Sequence, residues 1–145
     1  MMQSQCPGVV IEDLTDIECR SFLDQGSVGR VAVTIDALPV VLPVNYAVFE
    51  DTVVFRSTPG TKLSLALRAT VVAFEVDDYD PNGDRGWSVL MRGRAHVASD
   101  PTTIEALRRL PLRFLSPGGT DDHFIQITIT TITGRRLRSL YPDKA

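Results

Sequence analysis

Basic charge, cysteine, histidine and long apolar runs are all scarce in this chain. Fifteen Lys and Arg face eighteen Asp and Glu, for a net charge of -3. A general nucleic-acid binder carries a basic surface, so that class is disfavoured, and any bound anion must be held by a local pocket. The only cysteines are Cys6 and Cys19, outside any CxxC pair, and the only histidines are His96 and His123. Four such residues scattered along the chain do not make a metal site. The two cysteines are close enough in sequence for a disulfide, but two free thiols in a reducing cytosol fit them better. No stretch approaches the roughly 20 apolar residues of a membrane span, and the first fourteen residues lack the basic start and apolar run of a signal peptide. The expectation is a soluble, cytoplasmic protein with no nucleic-acid and no membrane partner.

What is present suits one ordinary domain over 1–145, with 43% hydrophobic and 23% charged residues to build a core and a solvated surface. Thr15 and Glu18 form a capping box that opens a first helix. Ile17, Phe22 and Leu23 give it an apolar face, and Gly26 ends it. Strand patterns follow at 27–34, 40–49 and 52–57, with a tight turn at Glu50-Asp51 predicting a hairpin between the last two. Pro59-Gly60 then breaks the chain before a short helix over 61–68. Further strands are predicted at 70–77, 87–98 and 124–133, the second with Gly93 marking a bend or bulge. A polar loop covers 78–86. Asp100-Pro101 starts a helix with a buried stripe of Ile104, Leu107 and Leu110. Six β segments with short helices predict a small antiparallel barrel, a mainly β fold and not a doubly wound parallel sheet.

Three groups of residues could carry chemistry. The densest is FRSTPGTKL, where a strand ends at Arg56, turns through Pro59-Gly60 and enters a helix at Thr61 and Lys62. A guanidinium fork, an ammonium, the hydroxyls of Ser57, Thr58 and Thr61, and the free amides of a helix start together make an anion cradle. The bland alternative is a capped helix with two solvated cations. The second group is Trp87-Ser88, which either anchors packing or flanks a planar heterocycle and its polyol tail. The third is Pro43-Val44-Asn45. Asn45 is either an ordinary paired sheet residue or an amide offered to a polar ring edge, with Pro43 interrupting regular pairing.

The succession GSVGRVAV, PVVLPVNY, VVFRSTPGTKL, VVAFEVDDYD and GWSVLMRGRA resembles the pyridoxamine 5'-phosphate oxidase-related superfamily. Within it, the chain is most similar to short actinobacterial-type members that bind flavin or deazaflavin. The match runs over 26–98, and the later ITITTITGRRL also fits. The resemblance implies a six-stranded antiparallel split β-barrel of the FMN-binding type. It also implies a homodimer with FMN in grooves at the subunit interface, serving an oxidoreductase that acts on a small molecule. By the same resemblance, Arg56, Ser57, Thr61 and Lys62 hold the cofactor phosphate. Pro43, Val44 and Asn45 run beside the ring, Glu75 lies near the cofactor, and Trp87 and Ser88 approach its ribityl and phosphate region. Authentic pyridoxamine phosphate oxidases carry a C-terminal segment whose tryptophan and arginine complete the site. This chain has no second tryptophan, and Arg135, Arg136 and Arg138 follow its last predicted strand. Vitamin B6 oxidation is therefore not the expected activity.

The alternatives are the deazaflavin F420 in place of FMN, or a flavin carrier or other binding protein without turnover. A purely structural dimer with an empty groove is a third class. No catalytic residue is assigned, because hydride chemistry belongs to the flavin and the protein mainly positions it. Tyr46, His96 and His123 are general-acid candidates without support, and His123 after Asp121-Asp122 reads as a solvated loop histidine.

Overall fold

A computed structural model describes residues 8–68, 70–82, 84–112 and 122–141. Cys6 and Asp121, named above, lie outside the described residues. The strands are β1 (Val9–Asp13), β2 (Val28–Ile35), β3 (Leu38–Asn45), β4 (Ala47–Phe49), β5 (Thr52–Ser57), β6 (Thr70–Tyr79), β7 (Gly86–Val97) and β8 (His123–Ser139). The helices are α1 (Asp16–Gln25), α2 (Lys62–Ala66) and α3 (Pro101–Leu107). All pairing is antiparallel, in the order β3-β2-β6-β7-β8-β5-β4, and β1 pairs with the far half of β8. The two ends of that order, β3 and β4, are consecutive in the chain and separated only by Tyr46. A sheet whose opposite edges are joined through one residue has to curl, which gives the half-barrel of a split-barrel fold.

The described strands number eight instead of six. One reason is β1, which the sequence reading passed over. The other is that the segment 40–49 divides at Tyr46. There the backbone N–H donates to the Ser27 carbonyl at 3.0 Å and the phenol donates to the Leu23 carbonyl. The ring is 4% exposed and meets Phe74 edge-on at 5.0 Å. Pinned at this point, the chain leaves β2 and re-pairs with β5. The expected hairpin across Glu50-Asp51 therefore forms, but only β4 belongs to it.

Alternation decides which side chains fill the barrel. Val31 and Val33, Val53 and Phe55, Val72, Phe74 and Val76, and Met91 all point inward to one core. A smaller cluster of Val54, Leu107 and Phe124 lies on the opposite face, under α3. The register shifts between Arg92 and Gly93, so that Arg92 faces Thr131 while Gly93 faces Ile129. The extra residue in β8 lets Ile129 and Ile132, three apart, both pack on the core. Gly93 is obligatory here, because a Cβ would sit 1.7 Å from the Thr128 carbonyl oxygen.

The capping box of α1 is present, with Glu18 N–H donating to Thr15 at 3.2 Å and Thr15 N–H to Glu18 at 3.0 Å. Its buried side carries Cys19 and Leu23. Ile17, expected on that side, is 81% exposed. Burial pushes the Cys19 thiol up from its ordinary range. Helix α1 sits where β3 ends, and α2 sits at the opposite end of the barrel, beside the β2–β3 turn. That turn, Asp36-Ala37, has positive φ at both residues, as a two-residue hairpin with right-handed strand twist requires. Among the described residues, no helix is long and apolar enough to cross a membrane.

Candidate functional site

The inward apolar residues of β2, β3, β6, β7 and β8 leave their alternate positions on the outer face of the sheet, and that face collects most of the candidates. One cross-strand row reads Pro43, Arg30, Glu75, Leu90, Thr133. The next holds Asn45 beside Val28, and Asp77, Ser88 and Arg135 in register. Neighbouring positions in a row are about 5 Å apart, so Pro43, Asn45, Glu75 and Ser88 belong to one surface. Val44 turns the other way and packs on the core. The side-chain oxygen Oδ1 of Asn45 is buried and has no partner among the described residues. A polar atom in that condition is normally matched by something bound.

The centre of this surface is a carboxyl pair. Glu75 and Asp77 lie two apart on β6 and share one guanidinium, with Arg30 Nη1 at 3.3 Å from Glu75 Oε1 and 3.3 Å from Asp77 Oδ2. One cation between two half-buried carboxylates leaves a net negative charge. Burial, with help from the Asp77 carboxyl, pushes the Glu75 carboxyl up to about 7. Sequence reasoning singled out Glu75 only through the family resemblance and missed Arg30 and Asp77. The spacing Glu-x-Asp on a strand was the available signal.

The anion cradle is built differently from the expectation. Helix α2 has five residues, shorter than the 61–68 predicted, and a single turn contributes little dipole. Thr61 is its N-cap. The Thr61 hydroxyl accepts from Ser64 N–H at 3.1 Å and donates to the Thr58 carbonyl at 3.1 Å, so it is spent on the turn. Lys62 Nζ lies 3.0 Å from Asp36 Oδ2, which ties α2 to the β2–β3 turn while leaving the ammonium largely exposed. Arg56 and Ser57 are successive strand residues and leave opposite faces. Arg56 stands over the Phe124 ring at 5.0 Å, and Ser57 follows Val53 and Phe55 on the inner side. Among the described residues, Ser57 Oγ is buried without a partner, as is Nδ1 of its register partner His123. His123 thus begins β8 half-buried, where the sequence suggested a solvated loop residue.

Trp87 and Ser88 also separate. Ser88 is on the outer face, whereas Trp87 packs on the core and stacks on Phe22 of α1 with ring centroids 4.8 Å apart. Beside that stack lies a slot of about 290 Å³ bordered by Arg136 and Leu137. Within this subunit Trp87 anchors α1 and does not share a surface with Ser88. Of the acid candidates, Tyr46 is consumed by its bond to Leu23, and burial raises its phenol far above the ordinary range. His96 lies on β7 in register with Gln126, away from the two rows described.

Comparison with known proteins gives this geometry a context. A protein of Mycobacterium smegmatis described as FAD-binding is 35% identical, with a TM-score of 0.75 over 87% of this chain and 97% of its own. A FAD-binding protein of Mesorhizobium loti is 26% identical, with a TM-score of 0.74 over 91% of this chain and all of its own. An uncharacterized protein of Mycobacterium tuberculosis is 41% identical over 87 residues, which are 57% of this chain; the match likewise spans 57% of that relative's length. The sequence profile of the family described as pyridoxamine 5'-phosphate oxidase matches residues 15–136, from the N-cap of α1 almost to the end of β8. With the split-barrel topology and a matched profile over most of its length, the chain belongs to the pyridoxamine 5'-phosphate oxidase family.

Proposed function

We propose that this protein binds a flavin nucleotide on the outer sheet face and uses it in oxidoreduction of a small molecule, working as a homodimer. The observation that carries the reading is the gathering of Pro43, Asn45, Glu75 and Ser88 in two adjacent rows of that face. The residues present fit such a group. The unpartnered Oδ1 of Asn45 can accept from a ring N–H, and the exposed ammonium of Lys62 can meet a phosphate. Arg56, near the end of β5 on the stretch that leads into α2, adds a second cation. The family relatives described as FAD-binding support the flavin class.

When bound, a flavin supplies two-electron transfer. The chain's own part is to orient the ring along Pro43–Asn45 and to hold a proton at Glu75 near neutral pH, while Lys62 and Arg56, toward the β2–β3 turn at the other end of the barrel, offer charge to an extended phosphate tail. The outer face also exposes Val41, Val71 and Leu90, at 61%, 62% and 43%. A second copy covering them would exclude water from the ring and bring Ser88 of one subunit toward the cofactor of the other. Titration of the purified protein with FMN, FAD and F420, followed by flavin absorbance and fluorescence, tests the class. Saturable binding of FMN or FAD supports the reading. Binding of F420 alone would keep the site and change the cofactor, and binding of none would remove the proposal. Turnover with a reduced nicotinamide separates an enzyme from a carrier.

A further inference from the structure

The β1–β8 ladder treats its charges in two ways. On its inner side Glu12 is opposite Arg136, and the two pair at 3.3 Å, with Arg138 adding a second contact to Glu12 at 2.8 Å. One residue along, Asp13 is opposite Arg135 on the outer side. These two are register partners of opposite sign, yet neither side chain makes an ion pair or hydrogen bond among the described residues. They stand at the rim of a groove of about 600 Å³, whose wall includes Ser88, Leu90, Ile132 and Thr133. Its size falls in the range of small-molecule sites.

The groove exists because of how β8 changes neighbours. The first half of β8 pairs with β5 and the second half with β1, leaving a gap in the ladder between them. Gly134 lets α1 and β7 close around the inner end. A Cβ there would come within 2.8 Å of the Ser88 carbonyl and 2.9 Å of Leu14. The result is a cleft with an apolar wall, two hydroxyls, and one cation and one anion about one strand spacing apart. A simple carboxylate would meet Arg135 but face Asp13, and a simple amine would meet Asp13 but face Arg135. A ligand carrying both charges side by side matches the two exposed groups at once.

We propose that this groove binds a zwitterion of the α-amino-acid type with an apolar side chain. Arg135 receives its carboxylate, Asp13 its ammonium, Ser88 and Thr133 donate to remaining oxygens, and Leu90 and Ile132 receive the apolar body. Ser88, Leu90, Thr133 and Arg135 belong to the same two rows of the outer face as the proposed flavin site, so this proposal shares that face with it.

The test uses three probes of one shape: phenylalanine, 3-phenylpropanoate, which lacks the ammonium, and phenethylamine, which lacks the carboxylate. Each is titrated into the full chain at pH 7 and followed by amide chemical shifts. Phenylalanine is expected to bind saturably and move the Ser88, Leu90 and Thr133 amides, about tenfold tighter than either single-charge probe. Arg135→Gln should reduce phenylalanine to the affinity of phenethylamine, and Asp13→Asn should reduce it to that of 3-phenylpropanoate. Equal binding of all three, or unchanged phenylalanine affinity in both variants, overturns the proposal. So does a parent dimer that Arg135→Glu converts to monomer in sedimentation with no phenylalanine shift in either state, because the groove is then a subunit contact. FMN titration of the same samples reads the cofactor proposal separately, since neither substitution touches Lys62, Arg56 or Asn45.

Discussion

Replacing Glu75 with glutamine should make the folded protein more stable at alkaline pH and leave it unchanged at acid pH. Burial and Asp77 lift the Glu75 carboxyl from an ordinary 4.5 to about 7. The folded chain therefore holds a proton that the unfolded chain releases between those values. Stability contributed by the protonated form is present below pH 4.5 and is lost as pH rises through 7. At full strength the displacement corresponds to roughly 3 kcal/mol. The Glu75 side chain is 35% exposed and Arg30 screens it, so an effect of about 1–2 kcal/mol is the expectation. The assay is urea denaturation of the cofactor-free protein at half-unit steps from pH 5 to pH 9. The difference between variant and parent should be about a quarter of that amount at pH 5 and reach it by pH 8. A constant difference across the range would mean that Glu75 ionises normally, and the carboxyl-pair argument would fail.

Other substitutions probe other parts of the account. Lys62→Ala and Arg56→Ala should each weaken flavin binding about tenfold with little change in melting temperature, read by fluorescence titration; unchanged affinity in both would remove the phosphate assignment. Trp87→Ala should cost about 2–4 kcal/mol of stability, because the stack on Phe22 and the core contact are lost together. If Trp87→Ala alters flavin quenching and leaves stability intact, the side chain belongs to the cofactor site of a partner subunit instead. Gly93→Ala should fail to give soluble folded protein, or lose more than about 4 kcal/mol, since its Cβ would overlap the Thr128 carbonyl at 1.7 Å. A normal melting curve for that variant would contradict the bulge geometry.

Features set by neighbouring residues were legible from the sequence. The Thr15–Glu18 capping box, the Glu50-Asp51 turn, the Asp100-Pro101 helix start and the bulge at Gly93 all follow from local chemistry, and all are present. What was missed depends on partners far along the chain. Strand β1 is five residues long, and its identity comes from pairing with a strand about 125 residues later. The polar run that extends β8 to Ser139 looks like a strand end until Glu12 appears opposite Arg136. The break at Tyr46 arises because β3 and β4 pair with opposite ends of the sheet, which no local pattern records.

The candidate site divides in the same way. Residue types and order marked Pro43, Asn45, Arg56, Ser57, Thr61, Lys62, Trp87 and Ser88, and the family resemblance added Glu75, but strand parity decides which of them share a surface. Adjacent residues such as Arg56-Ser57 and Trp87-Ser88 were read as acting side by side, and a period of two sends them to opposite faces. Conversely, Glu75 and Ser88 are thirteen positions apart and lie in adjacent rows of one face. His123 takes its half-buried place at the start of β8, in register with Ser57.

The central claim is that the outer face holds a flavin ring along the Pro43–Asn45 edge, with Lys62 and Arg56 toward the other end of the barrel offering charge to its phosphate tail. The most direct measurement is equilibrium titration of the cofactor-free protein with FMN and FAD, in parallel with Asn45→Leu. The account predicts saturable binding to the parent, with a shifted flavin band, and clear weakening in Asn45→Leu while the fold stays intact by circular dichroism. Absence of saturable binding to the parent, or equal affinity in the variant, would contradict it.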